Sequence, residues 1–390
     1  MRCVAKGLED ALQKINILVL TTGHEATDAR IYGKQALFLL SKGFDVTVVG
    51  KLEYSTAGKV PVVAIPAPRC RWQRFLWQPW RCLWAARKIP ADIVHFHDPE
   101  LLFALPLAKL WWRQSKFVYD VHEDYANLIL IRDWLPRWLK STTRRAVDGV
   151  EKTLARLADG IIGVTQPLTA RFDHRHKTVA HNFVAKEFFI LTGTKKTSER
   201  AIDVIHVGTL TMARALFLVD TLQKFHHWKP HGRSLVAGVS PEIERLLGPR
   251  LPRQARLLGR MPHEGIAVHL GNAKIGLDIH PEPKPHLEVA LPVKICEYMA
   301  AGCAVVASSL PVLNRFLNEC GLGPFGFVRI DAGEPSDYAA AAVSLIEKID
   351  AGCDPGSDLR AIAAGRMTWE GEAEKITRLY AEILHQPCAA

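Results

Sequence analysis

Several common sequence signatures are missing from this chain of 390 residues. Its 8 cysteines show no close pair and no metal-ligand spacing, which excludes a disulfide scaffold and a zinc module and favours thiols in a reducing compartment. No apolar run has the length of a membrane span, and the N-terminus has no signal-peptide core. Because GxGxxG and Walker loops are also missing, a nicotinamide enzyme is disfavoured. From the missing membrane span and the missing signal-peptide core, we expect a cytoplasmic location.

Acidic residues are missing from Arg69 to Lys88, a stretch with six basic residues. Helical spacing would place Trp77, Trp80 and Trp84 on one face, with Pro79 as a kink. Such a face can pack its tryptophans against a sheet, which is the usual meaning of aromatic stripes at this spacing. It can also lie on an anionic membrane, which the missing acids favour.

Positive charge is concentrated in the first half of the chain. The formal net charge is +10, and residues 1–190 hold 28 Lys+Arg against 18 Asp+Glu, which accounts for the whole excess. Eight of the ten tryptophans lie there too. Basic side chains interleaved with tryptophan suit an anionic membrane surface or a single-stranded nucleic acid.

Buried strands alternate with helical segments in two successive halves. The apolar run Ile15 to Leu20 leads to Gly23, and a second series begins with Ile202 to Val207, followed by Gly208. This alternation predicts an α/β class with two doubly wound domains. We expect a polar leader at 1–14, a first domain at 15–190, a second at 191–370 and a final helix at 371–390, with Thr192 to Arg200 as the linker.

Two predicted strands of the first half are each followed by polar residues, which are His97, Asp98 and Glu100 after one strand and His122, Glu123 and Asp124 after the other. Polar clusters at the carboxyl ends of strands are where open α/β sheets bind ligands. The alternative is that these residues only cap the helices that follow.

The stretch Pro292 to Ser308, PVKICEYMAAGCAVVAS, predicts a short helix that ends at Gly302 and a buried strand after it. Lys294 and Glu297 are three residues apart and share one helix face. An ammonium can bind diphosphate oxygens, and a carboxylate can accept hydrogen bonds from sugar hydroxyls, so the pair suits a nucleotide sugar. A solvated surface pair is the alternative.

Pro292 to Ser308 resembles the donor-binding signature of glycosyltransferase family 4, P-x-K-x-x-E-Y-M-A-A-G-x-P-V-V-A-S. HFHDPELL and YDVHEDY resemble a bacterial subgroup of that family that makes surface polysaccharide. The resemblance covers nearly all of the chain after residue 14. It implies two facing Rossmann-like domains, the GT-B architecture, with the active site in the interdomain cleft.

The resemblance also implies a reaction. A sugar would pass from a nucleotide diphosphate sugar, UDP-linked, to a lipid-linked saccharide or polysaccharide precursor, with retention of configuration and without metal or cofactor. No DxD-type pair stands where a cation would be held. If the reaction inverted configuration, Asp98, Glu123 or Asp124 could be the general base.

By the same resemblance, Glu297 would hold the ribose, while Arg214 and Lys294 would bind the diphosphate. Gly208 would form the glycine turn of the donor domain, Gly23 and His24 would face the donor or acceptor, and His122 would lie near the reacting centre. The chain departs from the pattern at two places: Val289 replaces an earlier glutamate and Thr209 an arginine.

Three alternatives remain from the sequence. A nucleotide-sugar 2-epimerase shares the fold, but the basic, tryptophan-rich first half argues against it. A non-catalytic polysaccharide-assembly partner would keep the fold without the chemistry. A nucleic-acid-binding protein would explain the basic tryptophans but not Lys294 and Glu297. We expect no nucleic acid partner and a peripheral position at the inner face of the cytoplasmic membrane, bound through Arg69 to Lys88.

Overall fold

The chain forms two compact units. The computed structural model describes residues 15–52, 58–282, 284–321 and 326–384, so the predicted leader at 1–14 and the end of the predicted final helix, 385–390, lie outside the described residues. One unit runs to Asn182 and resumes at Glu370, and the other runs from Phe183 to Trp369. Each is built on one parallel sheet, so the predicted α/β class with two Rossmann-like domains is confirmed.

The sheet of the first unit has seven parallel strands in the order β3-β2-β1-β4-β5-β6-β7. Its strands are β1 (Asn16–Glu25), β2 (Asp45–Lys51), β3 (Val62–Ile65), β4 (Ile93–Phe96), β5 (Lys116–Val121), β6 (Gly160–Gly163) and β7 (Lys177–Val179). Leu18 and Val19 in the middle of β1 are fully buried, as expected for a parallel strand covered on both faces.

The second sheet has six parallel strands in the order β10-β9-β8-β11-β12-β13. Its strands are β8 (Ile202–Val207), β9 (Ser234–Ala237), β10 (Ala255–Leu258), β11 (Ala273–Asp278), β12 (Ala304–Ser308) and β13 (Phe327–Ile330). Strand order reverses between β1 and β4 in the first sheet and between β8 and β11 in the second. These switch points open crevices at the carboxyl ends of the strands, where doubly wound sheets bind ligands.

Helices cover the faces of both sheets. They are α1 (Leu37–Ser41), α2 (Arg71–Leu76), α3 (Gln78–Ala86), α4 (Leu105–Trp111), α5 (Tyr125–Leu128), α6 (Arg137–Ala155), α7 (Gln166–Ala170), α8 (Lys186–Leu191), α9 (Met212–Trp228), α10 (Pro241–Leu247), α11 (His263–Gly271), α12 (Val293–Ala300), α13 (Pro311–Glu319), α14 (Pro335–Asp350), α15 (Pro355–Arg366) and α16 (Trp369–Leu384). A π-helical segment, Ala29–Ala36, precedes α1, and its first turn is capped by the side chain of Asp28.

The boundary between the units lies at Asn182 and Phe183, earlier than the predicted change at 190/191. The reason is that Phe183, Val184 and Phe188 are buried in the core of the second unit. The predicted linker Thr192 to Arg200 also lies within that unit. Thr197 and Arg200 are buried there, so this polar stretch is part of the packed domain and does not act as a linker.

The basic segment forms two helices, because the chain breaks at Trp77 between α2 and α3. Cys82, Leu83 and Ala86 form the buried side of α3. Trp77, Trp80 and Trp84 are all exposed, so their stripe does not pack against the sheet. Within the described ranges, no helix combines the length and the apolar content needed to cross a bilayer.

From Glu370 onward, the last described helix, α16, is part of the first unit. The hydroxyl of Tyr380 is hydrogen-bonded to Nδ1 of His95, which lies inside β4. Glu372 Oε2 accepts a hydrogen bond of 2.9 Å from the amide of His181. The carboxyl end of the described chain therefore completes the packing of the first unit.

Candidate functional site

Gly23 and Asp98 meet at the switch point of the first sheet. Asp98 Oδ2 accepts hydrogen bonds from the Thr21 hydroxyl at 2.7 Å and from the amides of Thr22 and Gly23 at 2.8 and 3.0 Å. Burial alone would raise the pKa of the Asp98 carboxyl, but His24, 3.7 Å away, and these donors lower it below its usual range. Asp98 is therefore an enclosed carboxylate that shapes the glycine segment.

Arg74 reaches the same segment from α2. Its Nε donates a 2.8 Å hydrogen bond to Glu100, and its Nη2 lies 3.8 Å from Asp98 Oδ1. A Cβ on Gly23 would overlap with Arg74 and Asp98, so a larger residue at this position would have to displace these side chains. Arg74 thus belongs to the polar site, although its basic stretch predicts a surface residue.

Histidines from three strand ends lie against one another. His97 Nδ1 is 3.0 Å from His122 Nε2, and the rings of His24 and His122 have centroids 5.4 Å apart. His95 stacks on His97 at 4.8 Å on the buried side. Burial lowers the pKa of His97 well below its usual range, and the neighbouring histidines add to that effect. His97 is therefore neutral, and His24, beyond His122, is the most exposed histidine of the row.

Asp120 is the carboxylate beneath these histidines. It is fully buried, with His122 Nε2 at 3.5 Å and Arg30 Nη2 at 3.1 and 3.2 Å from its two oxygens. Burial alone would raise the pKa of the Asp120 carboxyl, but Arg30 and His122 hold this pKa well below its usual range. An ionised Asp120 can orient the His122 ring.

His95, His97 and Asp120 are close enough to share a metal ion, since their ligand atoms lie within 4.8 Å of one another. The donor set suits zinc or iron in principle. The charge balance argues against it here, because both oxygens of Asp120 already accept hydrogen bonds from the Arg30 guanidinium. A divalent ion would stand beside that fixed cation, so the prediction of a metal-free site is kept as a proposal.

A second polar cluster lies at the switch point of the second sheet. Asp278, the last residue of β11, is buried, and its Oδ1 lies 3.3 Å from Arg214 Nη2 and 3.9 Å from Lys294 Nζ. Its Oδ2 lies 3.2 Å from His280 Nε2. Burial alone would raise the pKa of Asp278, but His280, Lys294 and Arg214 lower it below its usual range. One ionised carboxylate therefore holds two cations.

Arg214 and Lys294 come from the first turns of α9 and α12. The Arg214 Nε also donates a 2.6 Å hydrogen bond to the carbonyl of Ile279, which fixes the side chain across the strand end. Burial lowers the pKa of Lys294 to about 8, and the charge of Arg214 adds to the decrease, while Asp278 opposes it. Two cations at two helix N-termini form a strong site for an anion.

Gly208 adopts a positive φ of 90° immediately after β8. A Cβ at this position would stand 2.8 Å from Cε of Lys294. The glycine therefore provides both the left-handed turn and the space for the lysine side chain.

Glu297 lies one turn beyond Lys294 on α12. Its Oε1 is 2.8 Å from Nε2 of His263, the first residue of α11, and the Glu297 side chain is largely buried. The His263 ring lies 5.1 Å from that of Phe188. Glu297 is therefore held by a side chain from a neighbouring helix, and it is not a free, solvated carboxylate.

The predicted site residues thus fall into two groups. Gly23, His24, Asp98 and His122 meet in the first unit, and Gly208, Arg214, Lys294 and Glu297 line the second. Glu123 is exposed, outside the histidine row. Their catalytic and binding roles stay predictions.

The sequence analysis gave no site role to several partners of these residues, which are Arg74, His95, Asp120, His263 and Asp278. One signal could have found some of them. A charged or imidazole side chain inside an apolar strand, such as Asp120 in FVYDV, has to be paired when it is buried.

Comparison with known proteins gives one family match. Residues 35–188 match the model of Glycosyltransferase Family 4. No curated protein matches the chain.

Solved structures share the architecture. Sucrose-phosphate synthase of Thermosynechococcus elongatus has a TM-score of 0.66 at 16% identity, over 95% of this chain and 99% of that one. HepE of Anabaena, in complex with UDP and glucose, has a TM-score of 0.68 at 16% identity, over 94% of this chain and 100% of that one. A glycosyltransferase of Rickettsia africae has a TM-score of 0.66 at 14% identity, over 96% of this chain and 100% of that one. At such identities the likeness establishes the two-domain fold.

Proposed function

Because residues 35–188 match the Glycosyltransferase Family 4 model and solved glycosyltransferases share the fold, we propose that the chain is a glycosyltransferase that transfers a sugar from a UDP-linked donor to a lipid-linked saccharide or polysaccharide precursor. The reaction proceeds with retention of configuration, at the inner face of the cytoplasmic membrane. The observation that carries this proposal is the pair of cations, Arg214 and Lys294, held by Asp278 at the switch point of the second sheet.

The donor fits this cluster chemically. A diphosphate carries charge that two cations and two helix N-termini can neutralise, and the next turn of α12 presents Glu297 to the ribose hydroxyls. HepE, which has the same fold, was solved in complex with UDP-glucose and with UDP. This likeness supports UDP over other nucleotides.

In the proposed mechanism, the cations act on the leaving group. Charge develops on the diphosphate as the bond to the sugar breaks, and Arg214 and Lys294 stabilise it without rearrangement because both are already fixed. The leaving phosphate takes the acceptor proton, so the reaction requires no separate base and no metal. In the first unit, Asp120 lies 3.5 Å from His122 and orients its ring.

The acceptor proposal depends on exposed aromatic side chains in the first unit. We call aromatic surface the exposed aromatic side chains of this unit, which are Trp72, Phe75, Trp77, Trp80, Trp84, Phe103, Trp111, Trp134 and Trp138; Leu76 and Leu110 are exposed as well. Trp84 and Trp111 touch across α3 and α4, with centroids 6.2 Å apart. The guanidinium of Arg87 lies 4.0 Å above the Trp84 ring. Exposed aromatics with basic neighbours suit the interface of an anionic bilayer, where a lipid-linked acceptor would be found.

Calorimetric titration with UDP, GDP, ADP and NAD tests the donor assignment. We expect selective UDP binding that is at least about tenfold weaker in Arg214→Ala and in Glu297→Ala, because each removes a charge-assisted contact. Arg253→Ala is the matched control, since Arg253 is an exposed arginine of the same unit. A folded protein that binds none of the nucleotides, or equal affinity in all variants, would contradict the proposal.

A further inference from the structure

A second concave site lies in the second unit, away from the Arg214 cluster. It has a volume of about 350 Å³ and is lined by the chain before β8 and the first turns of α15. Arg200 donates a 2.8 Å hydrogen bond to the carbonyl of Ala273, the first residue of β11, whereas Asp278 is the last residue of that strand. Six residues of strand separate the two places by roughly 16 Å.

The charge of this cavity is strongly one-sided. Its walls include Lys195, Lys196, Arg200 and Arg360, and the single acid among them is Asp354. Asp354 already accepts a 2.5 Å hydrogen bond from the hydroxyl of Thr197. In the part of the chain that the structure describes, none of the four cations forms an ion pair with a carboxylate.

The two arginines are bonded to neutral groups. Arg200 donates to the carbonyls of Lys195 and Ala273, and Arg360 donates to the carbonyl of Ala300 at 2.6 Å and to the hydroxyl of Thr192 at 2.8 Å. Burial lowers the pKa of Arg360, and the charge of Arg200 lowers it further. Among the lining residues, the four positive charges therefore face one carboxylate, that of Asp354, and the cavity keeps a net positive charge.

We propose that this cavity binds a small phosphomonoester, with inorganic phosphate as the minimal ligand of the class. A phosphate dianion would neutralise Lys195 and Lys196 at the rim and face the guanidiniums of Arg200 and Arg360 inside. Gly356 and Ser357, in the first turn of the 12-residue helix α15, present the helix N-terminus to the same space.

The volume of the cavity is larger than a bare phosphate requires. Small-molecule sites span about 300 to 1,000 Å³, and this cavity lies within that range. The room beyond the phosphate suits a compact polar group such as a sugar. Because the site does not include Arg214, Lys294 or Glu297, its occupancy does not depend on the proposed donor chemistry.

The test is calorimetric titration of the full chain with inorganic phosphate and with glucose 6-phosphate, at constant ionic strength. The pocket variant is Lys195→Ala with Lys196→Ala, since both side chains are exposed and their loss leaves the core unchanged. We expect saturable binding that becomes at least about tenfold weaker in this variant, because two charged hydrogen-bond donors are lost.

Two controls separate the pocket from other sources of binding. Lys224→Ala with Lys348→Ala removes two exposed lysines of the same unit and should leave phosphate affinity unchanged. A phosphate titration repeated with saturating UDP should give the same affinity, because UDP would occupy the Arg214 cluster, and the pocket variant should keep its UDP affinity. Absence of saturable binding, equal affinity in the pocket variant, or loss of phosphate binding when UDP is present would each overturn the proposal.

Discussion

Arg214 and Asp278 form an ion pair at the carboxyl end of β11, with 3.3 Å between Nη2 and Oδ1. Asp278 is buried, so its replacement leaves Arg214 and Lys294 facing each other without a counter-charge. We expect Asp278→Asn to lower the free energy of unfolding by about 3 kcal/mol and to weaken UDP binding. Denaturant unfolding and calorimetry measure the two effects. Asp331→Asn, an exposed acid of the same unit, should change neither quantity.

The pH dependence of donor binding follows from Lys294. Because the pKa of Lys294 is lowered to about 8, the unliganded side chain is charged at pH 7 and mostly neutral at pH 9. The affinity for UDP should therefore fall roughly tenfold between pH 7 and pH 9. Titrations at pH 8 in buffers of different ionisation enthalpy should reveal proton uptake on binding.

Lys294→Met is the control for that titration. Methionine has a similar length and no charge, so this variant should bind UDP more weakly at pH 7 and show no further loss up to pH 9. A pH dependence that persists in Lys294→Met would show that another group is responsible.

His263 is expected to position Glu297. The 2.8 Å contact between Nε2 and Oε1 fixes one carboxylate oxygen and leaves the other for the ribose. His263→Ala should raise the KM for the UDP-sugar by about tenfold with a smaller change in kcat, because the contact serves binding. His263→Gln, which keeps a donor at similar reach, should restore much of the loss. Equal kinetics in wild type and His263→Ala would contradict this role.

The substitution Gly23→Ala tests the packing around Asp98 and Arg74 in the first unit. Gly23→Ala would push a methyl group into Asp98 and Arg74, and we expect it to lower the free energy of unfolding by about 1–3 kcal/mol and to reduce activity. Gly33→Ala is the matched control, since nothing lies within 4 Å of a Cβ there and the residue is helical. That control should be neutral or slightly stabilising. Thermal unfolding and transfer assays of both variants make the comparison.

Membrane binding should depend on the charge around the aromatic surface. We expect charge reversal at Arg69, Arg81 and Lys88 to weaken binding to anionic liposomes by at least about 100-fold, because each basic residue near such a surface contributes about 1 kcal/mol. Donor affinity should not change. Arg74 is left intact, since it holds the glycine segment through Glu100.

Reversal of Arg245, Arg253 and Arg256, exposed in the second unit, is the control for liposome flotation. Undiminished flotation of the first triple variant would remove the membrane assignment. Binding of single-stranded RNA that is lost in the same variant would favour the nucleic-acid alternative instead.

Much of the fold could be predicted from the sequence. Strand β8 has the predicted bounds Ile202 to Val207, because four β-branched residues are concentrated there and a glycine turn follows. Lys294 and Glu297 could be singled out because a helix places residues three apart on one face.

The partners of the site residues could not be predicted in the same way. Asp278 lies 64 positions from Arg214, and His263 lies 34 positions from Glu297, so no local period links them. Arg74 gave a misleading signal: its own stretch has no acid, yet Glu100 is 26 positions away and pairs with it. Such pairs depend on which strand ends become neighbours, and that is decided by the packing of the whole sheet.

The return of α16 to the first sheet affects the order in which the protein can fold during synthesis. The second unit is continuous from Phe183 to Trp369 and leaves the ribosome whole. The first unit emerges earlier but lacks Glu372 and Tyr380, which bond to His181 and His95, until α16 has been made. The unit whose synthesis begins first is therefore completed after the second unit, and a chain cut shortly after Trp369 would contain a complete second unit attached to an incomplete first one.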